Sequence, residues 1–215
     1  MTECAMFDLD GTLVNTIDDL ANACEYVLGV YGYEKRWSIE NYTFFVGNGA
    51  KKLVERAFEH TLSENELNSA LELFKKKYGE ILLDNAYVYD GVKQSLDAVR
   101  AKGVRLAVVT NKPYAAAVKM VESLFGKGYF DFILGATEDN PKKPDPYMPT
   151  KALEAVGARG ENTVYYGDSD VDVLTARSVG AKAVACSWGF RSRESLENAH
   201  PDAIIDTPAD IKNFF

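Results

Sequence analysis

The sequence predicts an α/β fold, a doubly wound parallel sheet with a small α-helical insertion near its start. Three observations predict it. An apolar, strand-like run opens the chain at Cys4–Leu9. A charged, helical block without strand-like alternation then occupies about residues 37–83. From residue 86 onward, apolar strand-like runs alternate with helical segments, which is the pattern of a parallel sheet flanked by helices.

The first strand and the first helix are separated by a turn. Cys4–Leu9 ends at an Asp-Gly pair within residues 10–12, and these residue types favour a turn. Residues 15–30 form a predicted helix, because apolar residues recur there at spacings of three and four. We expect Thr16 to cap this helix, since acidic residues follow in its first turn, where the helix dipole favours negative charge.

The block at residues 37–83 is predicted to be a small bundle of helices. Gly47-Asn48-Gly49 interrupts it as a loop. Ala50–His60 follows as a helix, and Ser63–Leu82 repeats the pattern with apolar residues at helical spacing. The block therefore reads as an insertion after the first strand.

The second half of the chain supplies the remaining strands and helices. A predicted helix at Gly91–Lys102 stops at Gly103, and the apolar run Val104–Thr110 is typical of a strand buried on both faces. The other predicted strands are Phe132–Leu134, Thr163–Tyr166, Ala181–Cys186 and Ala203–Ile205, and the other predicted helices are Tyr114–Phe125, Pro149–Val156 and Val171–Val179.

The composition is that of a globular protein with an acidic surplus. Its 215 residues are 47% hydrophobic and 26% charged, and the formal net charge is −8. A nucleic-acid binder needs a basic surplus to neutralise phosphates, so we expect no nucleic-acid partner. No apolar run reaches the roughly 18 residues of a membrane span, and no signal-peptide pattern opens the chain, so we expect no membrane partner and a cytoplasmic protein.

Polar side chains cluster where four of the predicted strands end or in the loops that follow. In chain order they are Asp8 and Asp10, Thr110-Asn111-Lys112, Lys143 in KKPDP, and Asp168 and Asp172 in YYGDSDVD. In open α/β sheets, ligands bind beyond the carboxyl ends of the strands. We therefore expect these residues to share one site.

Asp8 and Asp10 lie two positions apart, so their carboxylates point to the same side of a strand. Two such carboxylates repel each other, and both ionise only when cations lie nearby. The pair alone leaves a second interpretation open, an ordinary Asp-Gly turn without catalysis.

A second acidic cluster favours a metal site. Apolar residues lead into Gly167, which permits a close backbone approach, and Asp168 and Asp172 follow at the strand end. Mg²⁺ takes oxygen ligands and often bridges to a phosphate, and Asp8, Asp10 and Asp168 would supply such a site. The alternative for Asp168 is a helix N-cap.

A phosphate beside these carboxylates needs a cation to balance it. Lys143 is the candidate, because Pro144 and Pro146 hold its loop extended. The alternative is a solvated surface lysine. Thr110 could donate its hydroxyl to a phosphoryl oxygen, or it could simply cap the next helix.

Together these motifs resemble the haloacid dehalogenase-like superfamily of phosphohydrolases. DLDGT matches the first motif, Thr110 after LAVV the second, Lys143 in KPDP the third and GDSDVD the fourth, in the family's order. The resemblance implies a Rossmann-like core domain at residues 1–14 and 84–215 and a helical cap domain at residues 15–83. It also implies a phosphoric monoester hydrolase whose substrate is a small phosphorylated metabolite.

The resemblance implies a role for each catalytic residue. Asp8 would be the nucleophile that forms an aspartyl-phosphate. Asp10 would protonate the leaving oxygen and then activate water. Thr110, Asn111 and Lys143 would bind and orient the phosphate. The chemistry fits, because carboxylates form acyl-phosphate intermediates and phosphoryl transfer depends chiefly on positioning and on cations.

The resemblance also implies a metal site with Mg²⁺ as the cofactor. Asp168 would hold the ion together with Asp8 and Asp10, and Asp172 would be an auxiliary carboxylate. The ion would neutralise the repulsion between an anionic nucleophile and an anionic substrate.

The loop FFVGNGAKK in the helical block resembles the glycine-containing cap segment of phosphoglycolate phosphatase-like members of the family. Backbone amides of Gly47-Asn48-Gly49, with Lys51, Lys52 or Arg56 nearby, would meet an anionic end of the substrate, and phosphoglycolate is the leading expectation. The alternative is an ordinary turn between helices with a solvated basic face, and both interpretations stay open.

Alternatives within and outside the superfamily also stay open. A β-phosphoglucomutase-like mutase or a pyrophosphatase would keep the same core. A dehalogenase would lack the second Asp of DxD, so Asp10 favours phosphoryl chemistry. A receiver-type signalling domain would also place acids, a Thr and a Lys around a phosphorylated Asp, but the helical insertion and Asp10 argue against it. We expect a monomer or a homodimer.

Overall fold

A computed structural model of the protein describes residues 3–34, 37–58 and 61–215. Within these ranges the strands are β1 (Cys4–Phe7), β2 (Val14–Asn15), β3 (Tyr87–Val88), β4 (Arg105–Pro113), β5 (Phe132–Ala136), β6 (Thr163–Gly167), β7 (Lys182–Cys186) and β8 (Ala203–Ile205). The helices are α1 (Ile17–Val30), α2 (Ile39–Phe45), α3 (Ala50–Ala57), α4 (Glu64–Ile81), α5 (Val92–Arg100), α6 (Tyr114–Leu124), α7 (Tyr147–Val156), α8 (Asp170–Ser178) and α9 (Arg193–Asn198). None of these helices has both the length and the apolar character that crossing a membrane requires.

Six strands of the described chain form one sheet in the order β5-β4-β1-β6-β7-β8. Every pairing in it is parallel. The chain fills one side of β1 with β4 and β5 and then returns to fill the other side from β6 onward. The loops after β1 and β6 therefore diverge, and the space between them is where ligands bind in such sheets. The predicted doubly wound α/β fold is confirmed.

Alternate residues of β1 point into two separate hydrophobic cores. Ala5 and Phe7 join a large core that includes α5 and α6, whereas Cys4 and Met6 join a smaller core with α7 and α8. All four side chains are completely buried. Because both faces of the strand are covered, its sequence is a continuous apolar run instead of an alternating one.

The helical insertion consists, in the part of the chain described, of α1 to α4. α1 packs against α2 and α4, and α3 packs against α4. The large hydrophobic core runs without a break from the sheet into these helices, because Phe7 of β1 shares it with Leu28 of α1 and Phe74 of α4. The domain boundaries at residues 14–15 and 83–84 stay a prediction.

A short antiparallel ribbon, which the sequence did not predict, connects the insertion to the sheet domain. β2 pairs with β3 through Val14 opposite Val88 and Asn15 opposite Tyr87. Asn15 was expected to begin the first helix, but that helix begins at Ile17. Two-residue strands are too short to show a period in the sequence.

Other element ends differ from the predicted ones by a few residues. β4 continues beyond Thr110 to Pro113, because its polar end still pairs with β5. The helix expected to run to His60 ends at Ala57, and His60 lies outside the described residues. α9 was not predicted, since its six residues are mostly polar and charged.

Asp19 fastens α1 to the segment that returns to the sheet domain. Its carboxylate is completely buried. It accepts hydrogen bonds from the backbone N–H of Asn85 at 3.0 Å, from the Asn85 side-chain amide at 2.8 Å and from the N–H of Ala86 at 3.1 Å. A buried carboxylate with three donors is a charge-assisted network that an amide cannot reproduce.

We predict that Asp19→Asn destabilises the protein by about 1.5–3 kcal/mol, because an amide replaces a charged acceptor and brings an extra donor into a buried site. Urea unfolding measures the change. Asp18→Asn is the matched control, since it removes one acidic residue from the same first turn of α1 and should cost only about 0.3–1 kcal/mol. Equal losses in the two variants would contradict the assigned role of Asp19.

Candidate active site

The carboxyl ends of β1, β4 and β6 bring the predicted residues together. Asp8 follows β1, Thr110 lies in β4 and Asp168 follows β6, and all three line one cavity. Asp10 and Asn111 also line it. All five are buried apart from Asp10, which is partly exposed. The common edge of adjacent parallel strands is what places them together.

Lys143 forms the centre of the charged network. Its ammonium lies 2.9 Å from Asp8 Oδ1 and 2.7 Å from Asp172 Oδ1, and it donates to the hydroxyl of Tyr165 at 3.1 Å. Burial acts to lower the pKa of Lys143, but Asp172 and Asp8 raise it well above its ordinary value. Its side chain is 1% exposed, so the alternative of a solvated surface lysine is wrong.

Asp8 lies at the end of β1 with its Oδ1 fixed in place. That atom accepts a hydrogen bond from the N–H of Leu9 at 2.7 Å as well as from Lys143. Burial raises the pKa of Asp8 to about 7, although Lys143 acts in the opposite direction. Because a nearby cation favours the charged form, a second positive charge beside Asp8 would bring its pKa down again.

Asp168 is held by two donors from different loops. Its carboxylate accepts from the Thr12 hydroxyl at 3.1 Å and from the N–H of Phe190 at 2.7 Å. Burial, followed by the charges of Asp172 and Asp8, raises the pKa of Asp168 to about 8. The alternative of a helix N-cap is wrong, because Ser169 occupies the N-cap of α8.

Asp172 has both of its carboxylate oxygens engaged. Oδ2 accepts from the N–H of Ser169 at 3.1 Å and from its hydroxyl at 2.6 Å, and Oδ1 accepts from Lys143 at 2.7 Å. Gly167 packs directly against it, since a Cβ at that position would lie 2.1 Å from Asp172 Cβ. Gly167 therefore provides the close backbone approach that the sequence predicted.

The carboxylates of Asp8, Asp168 and Asp172 form a buried cluster that suits a hard cation. Each offers an oxygen within 4.8 Å of the others. Oxygen ligands are those that Mg²⁺ takes in proteins. The fourth predicted ligand, Asp10, turns its carboxylate Oδ1 away toward the hydroxyl of Thr16 and the ammonium of Lys112, each at 2.8 Å.

Asp10 is part of a network that the sequence did not reveal. The Lys112 ammonium contacts Asp10 and the hydroxyl of Tyr78, and it lies 4.6 Å from the centre of the Tyr78 ring. Tyr78 belongs to α4, so the insertion reaches the site here. Thr16 occupies the N-cap position of α1, yet it gives its hydroxyl to Asp10 and does not cap the helix, contrary to expectation.

The strand β4 contributes Thr110 and Asn111. The Thr110 hydroxyl accepts from the N–H of Lys112 at 3.2 Å, and Pro113 stands at the N-cap of α6, so the alternative that Thr110 caps that helix is wrong. Asn111 accepts from the N–H of Lys143 at 2.8 Å and donates to its carbonyl at 3.2 Å. Asn111 therefore fixes the loop that carries Lys143.

The loop of the insertion at Gly47-Asn48-Gly49 faces the same cavity. Gly47 and Gly49 line it, and their φ angles of 113° and 87° lie in a region that favours glycine. Asn48 is not among the described lining residues and accepts from Arg56 at 2.8 Å. Lys52 pairs with Glu55 at 2.6 Å, so neither Lys52 nor Arg56 has a free cationic group in the described contacts.

The cavity is small, and both polar and apolar side chains line it. Its volume is about 50 Å³. A water molecule needs about 10–15 Å³ measured in this way, so the cavity holds a group the size of a few waters. Beyond the polar residues already described, the lining includes Leu20, Val46, Ala50, Leu53, Phe74, Tyr78, Lys112, Pro113, Ser169, Phe190 and Arg191.

Sequence reasoning placed Lys112 at the strand end with Thr110 and Asn111 but gave it no role, and it missed Tyr78 and Arg191. Lys112 carried a usable signal, because it lies two residues after Thr110 and so on the same side of an extended strand. Tyr78 occupies an apolar position of α4, and Arg191 follows β7 in a loop without a motif. Nothing in the sequence around either residue marks it as part of the site.

Known proteins resemble this chain along nearly its whole length. A family model for haloacid dehalogenase-like hydrolases matches residues 5–186. Phosphoglycolate phosphatase of Aquifex aeolicus (strain VF5) is 32% identical over 206 residues, which are 96% of this chain and 93% of that protein. Phosphoglycolate phosphatase 1 of Pseudomonas aeruginosa PAO1 is 33% identical over 211 residues, 96% of this chain and 77% of that protein.

A solved structure shows the same similarity. The crystal structure of a predicted phosphoglycolate phosphatase from Haemophilus somnus 129pt superposes with a TM-score of 0.90 at 31% identity, covering 99% of this chain and 97% of the other. These similarities confirm the predicted enzyme class, a phosphoric monoester hydrolase. The chain belongs to the haloacid dehalogenase-like hydrolase family.

Proposed function

We propose that this enzyme hydrolyses the phosphate monoester of a small carboxylic acid, with phosphoglycolate as the leading substrate. The reaction would depend on Mg²⁺ and pass through an aspartyl-phosphate on Asp8. One observation carries the proposal. The buried carboxylate of Asp8, paired with Lys143 at 2.9 Å and clustered with two further carboxylates, lines a cavity of about 50 Å³.

Asp8 is the proposed nucleophile. An oxygen of its carboxylate attacks phosphorus, the new O–P bond forms, and the bond between phosphorus and the leaving oxygen breaks. Lys143 stabilises the charge that develops on the phosphoryl oxygens, and its position is fixed by Asn111. Thr110 lines the same cavity as Asp8, and its hydroxyl is the proposed donor to a phosphoryl oxygen.

Asp10 is the proposed proton carrier. It gives a proton to the leaving oxygen in the first step and takes one from the attacking water in the second, a contribution of about 10²–10⁴-fold. Its carboxylate lines the cavity and is oriented by Thr16 and Lys112 at 2.8 Å each. Its Oδ1 contacts Thr16 and Lys112 and not Lys143, so this role is separate from that of the Asp8–Lys143 pair.

The buried acids fit a divalent cation. Asp8 and Asp168 would hold Mg²⁺, with Asp172 nearby to keep Lys143 in place and Asp10 as the remaining predicted ligand. Four carboxylates face two buried lysines here, Lys112 and Lys143, so a doubly charged cation would offset excess negative charge. When bound, the ion supplies Lewis-acid stabilisation of the phosphoryl oxygens.

The insertion supports a small substrate with an anionic end. Gly49 caps α3, so unpaired N–H groups at the start of that helix lie beside the cavity, where they favour an anion. The backbone of Gly47-Asn48-Gly49 is the proposed binding segment. Relatives of this chain are named phosphoglycolate phosphatase, so phosphoglycolate is the leading candidate for the substrate. It combines a phosphate with one short carboxylate, which fits an anionic end at this segment.

Two functions of the same superfamily remain as competitors, a phosphosugar mutase and a pyrophosphatase. We do not retain the receiver-type signalling domain, because the chain is a hydrolase of the haloacid dehalogenase-like family. No described residue favours either competitor. Product analysis separates the three reactions, since only the phosphatase releases phosphate from phosphoglycolate.

We predict that wild-type enzyme with Mg²⁺ releases phosphate from phosphoglycolate and that Asp8→Asn lowers kcat by at least about 10³-fold, because it removes the nucleophile. Mass spectrometry of acid-quenched enzyme should find the phosphoryl group on the peptide that contains Asp8. Asp170→Asn is the control, since this exposed carboxylate lies two residues from Asp168 and outside the cavity. An active Asp8→Asn enzyme, or turnover of pyrophosphate or a phosphosugar alone, would refute the proposal.

We predict that Mg²⁺ stabilises the enzyme more at alkaline than at acidic pH. Without the ion, Asp8 and Asp168 have pKa values raised to about 7 and about 8, so the folded protein retains protons that the unfolded chain releases near pH 4. The stability that these protonated groups provide is lost as the pH rises from about 4 to about 8. Mg²⁺ replaces the protons, and its affinity rises over the same range.

Thermal unfolding measures this effect. At a Mg²⁺ concentration about 100 times its dissociation constant at pH 8.5, Tm should rise by about 5–10 °C, and the same concentration should give a smaller rise at pH 6. Asp168→Asn should abolish most of the rise. An equal shift at both pH values, or a full shift in Asp168→Asn, would contradict the proposed metal site.

A further inference from the structure

Arg191 crosses from the sheet domain to the helical insertion. It lies between β7 and α9, and its guanidinium donates to two backbone carbonyls of the insertion, those of Thr43 and Val46, the second at 2.7 Å. The arginine is partly buried and lines the cavity. It pairs with no carboxylate in any described contact, so backbone carbonyls are its principal partners.

The carbonyls that Arg191 binds belong to the end of α2. The last carbonyls of a helix lack partners within the helix and carry its negative dipole end, so a guanidinium there is favourable. Arg56 of α3 binds the neighbouring carbonyls of Phe44 at 3.3 Å and Phe45 at 2.9 Å. Asn111 of β4 donates to the next one, that of Gly47, at 3.1 Å.

The five consecutive carbonyls at residues 43–47 are thus divided between two sources. Arg56 holds two of them from within the insertion, and its hydrogen bonds do not depend on where the insertion sits relative to the sheet. Arg191 and Asn111 hold the other three from the sheet domain. Only these last contacts require the insertion to lie closed over the cavity.

The loop that carries Arg191 is fixed to the reaction centre at its other end. The N–H of Phe190 donates to Asp168 at 2.7 Å. A Cβ at Gly189 would lie 2.2 Å from Asp168 Cβ and 2.5 Å from the carbonyl oxygen of Gly11. The backbone at Gly189 is therefore packed so closely against both residues that no side chain would fit. The backbone of Arg191 is therefore held in a fixed position, because it directly follows Phe190, whose N–H donates to Asp168.

The glycine loop leaves room for the guanidinium. A Cβ at Gly47 would lie 3.2 Å from Arg191 Nη2, which is closer than most real contacts of this kind. The missing side chain at Gly47 thus serves the approach of Arg191 as well as the positive φ angle of that residue.

We propose that Arg191 is a positioning residue that latches the cavity loop of the insertion, residues 46–49, over the site in the closed state. It acts through the backbone of that loop and does not take part in the chemistry. Loss of the latch lowers the population of the closed state, and apparent substrate affinity falls in the same proportion. The kinetic part of this inference rests on the proposed phosphatase function, whereas the structural part does not.

Hydrogen exchange followed by mass spectrometry tests the structural part. In Arg191→Gln, peptides that cover residues 43–50 should exchange faster than in the wild type by about 10- to 100-fold, as expected for the loss of two hydrogen bonds from a charged donor. Peptides from α4 should exchange at the wild-type rate. Unchanged exchange at residues 43–50 would overturn the latch.

Two arginines of the same chain provide matched comparisons. Arg193→Gln changes an exposed arginine that pairs with Glu197 and Asp206 outside the cavity, and it should leave exchange and activity unchanged. Arg191→Lys keeps the charge but cannot donate to both carbonyls in one geometry, so it should restore part of the protection. The Lys variant also keeps the test decisive if Arg191→Gln fails to fold. If Arg191→Lys protected residues 43–50 from exchange as fully as the wild type does, the simultaneous contact with the two carbonyls would have no role.

Steady-state kinetics with phosphoglycolate and Mg²⁺ test the kinetic part. Arg191→Gln should raise KM by about 10-fold or more and lower kcat by a smaller factor, since the chemistry in the closed state is intact. A fall in kcat with unchanged KM would overturn the proposed role. If the wild type hydrolyses no phosphate ester, the proposed function fails, but the exchange measurement still decides whether Arg191 holds the loop.

Discussion

The site depends on the two ion pairs that the buried ammonium of Lys143 forms with Asp8 and Asp172. The ammonium sits fully buried between Asp8 and Asp172, at 2.9 and 2.7 Å, and a charge in that position is stable only when both carboxylates remain. The hydrogen bonds of Asn111 to the Lys143 backbone set where the ammonium lies, and those of Ser169 set Asp172. Three strand ends are thus fixed relative to one another by one charge, and this charge also orients Asp8, the proposed nucleophile.

The sheet and the charged residues at its edge were predictable from the sequence for the same physical reason. Runs such as Val104–Thr110 are apolar throughout because both faces of the strand are covered, and the polar residue after such a run has to lie at the carboxyl edge. The amino-acid sequence alone therefore suffices to place Asp8 and Asp168 together. It does not suffice for the β2–β3 ribbon, since two residues per strand show no period.

The rest of the site depends on contacts between segments far apart in the chain. Tyr78 has the spacing of a core residue of α4, and only the packing of the insertion brings its hydroxyl to Lys112. Arg191 has no neighbouring motif, and its partners lie 145 and 148 residues away. Lys112 was expected among the strand-end residues, but its contacts with Asp10 and Tyr78 could not be predicted from the residues around it. Local sequence therefore indicated which residues form the charged cluster at the strand ends, but not which residues hold the insertion in place.

Two polar contacts between the insertion and the sheet domain lead to different acidic residues of the site, in addition to the contacts of Thr16 with Asp10 and of Asn111 with Gly47. Tyr78 contacts Lys112, which pairs with Asp10, the proposed proton carrier. Arg191 extends from the loop in which an N–H group holds Asp168, one of the proposed metal ligands. Movement of the insertion away from the sheet would break both contacts together, so Lys112 would lose its tyrosine partner and the loop of the insertion would lose its arginine partner. The proposed catalytic residues all lie in the sheet domain, so the insertion affects them only through such contacts and through its own position over the cavity.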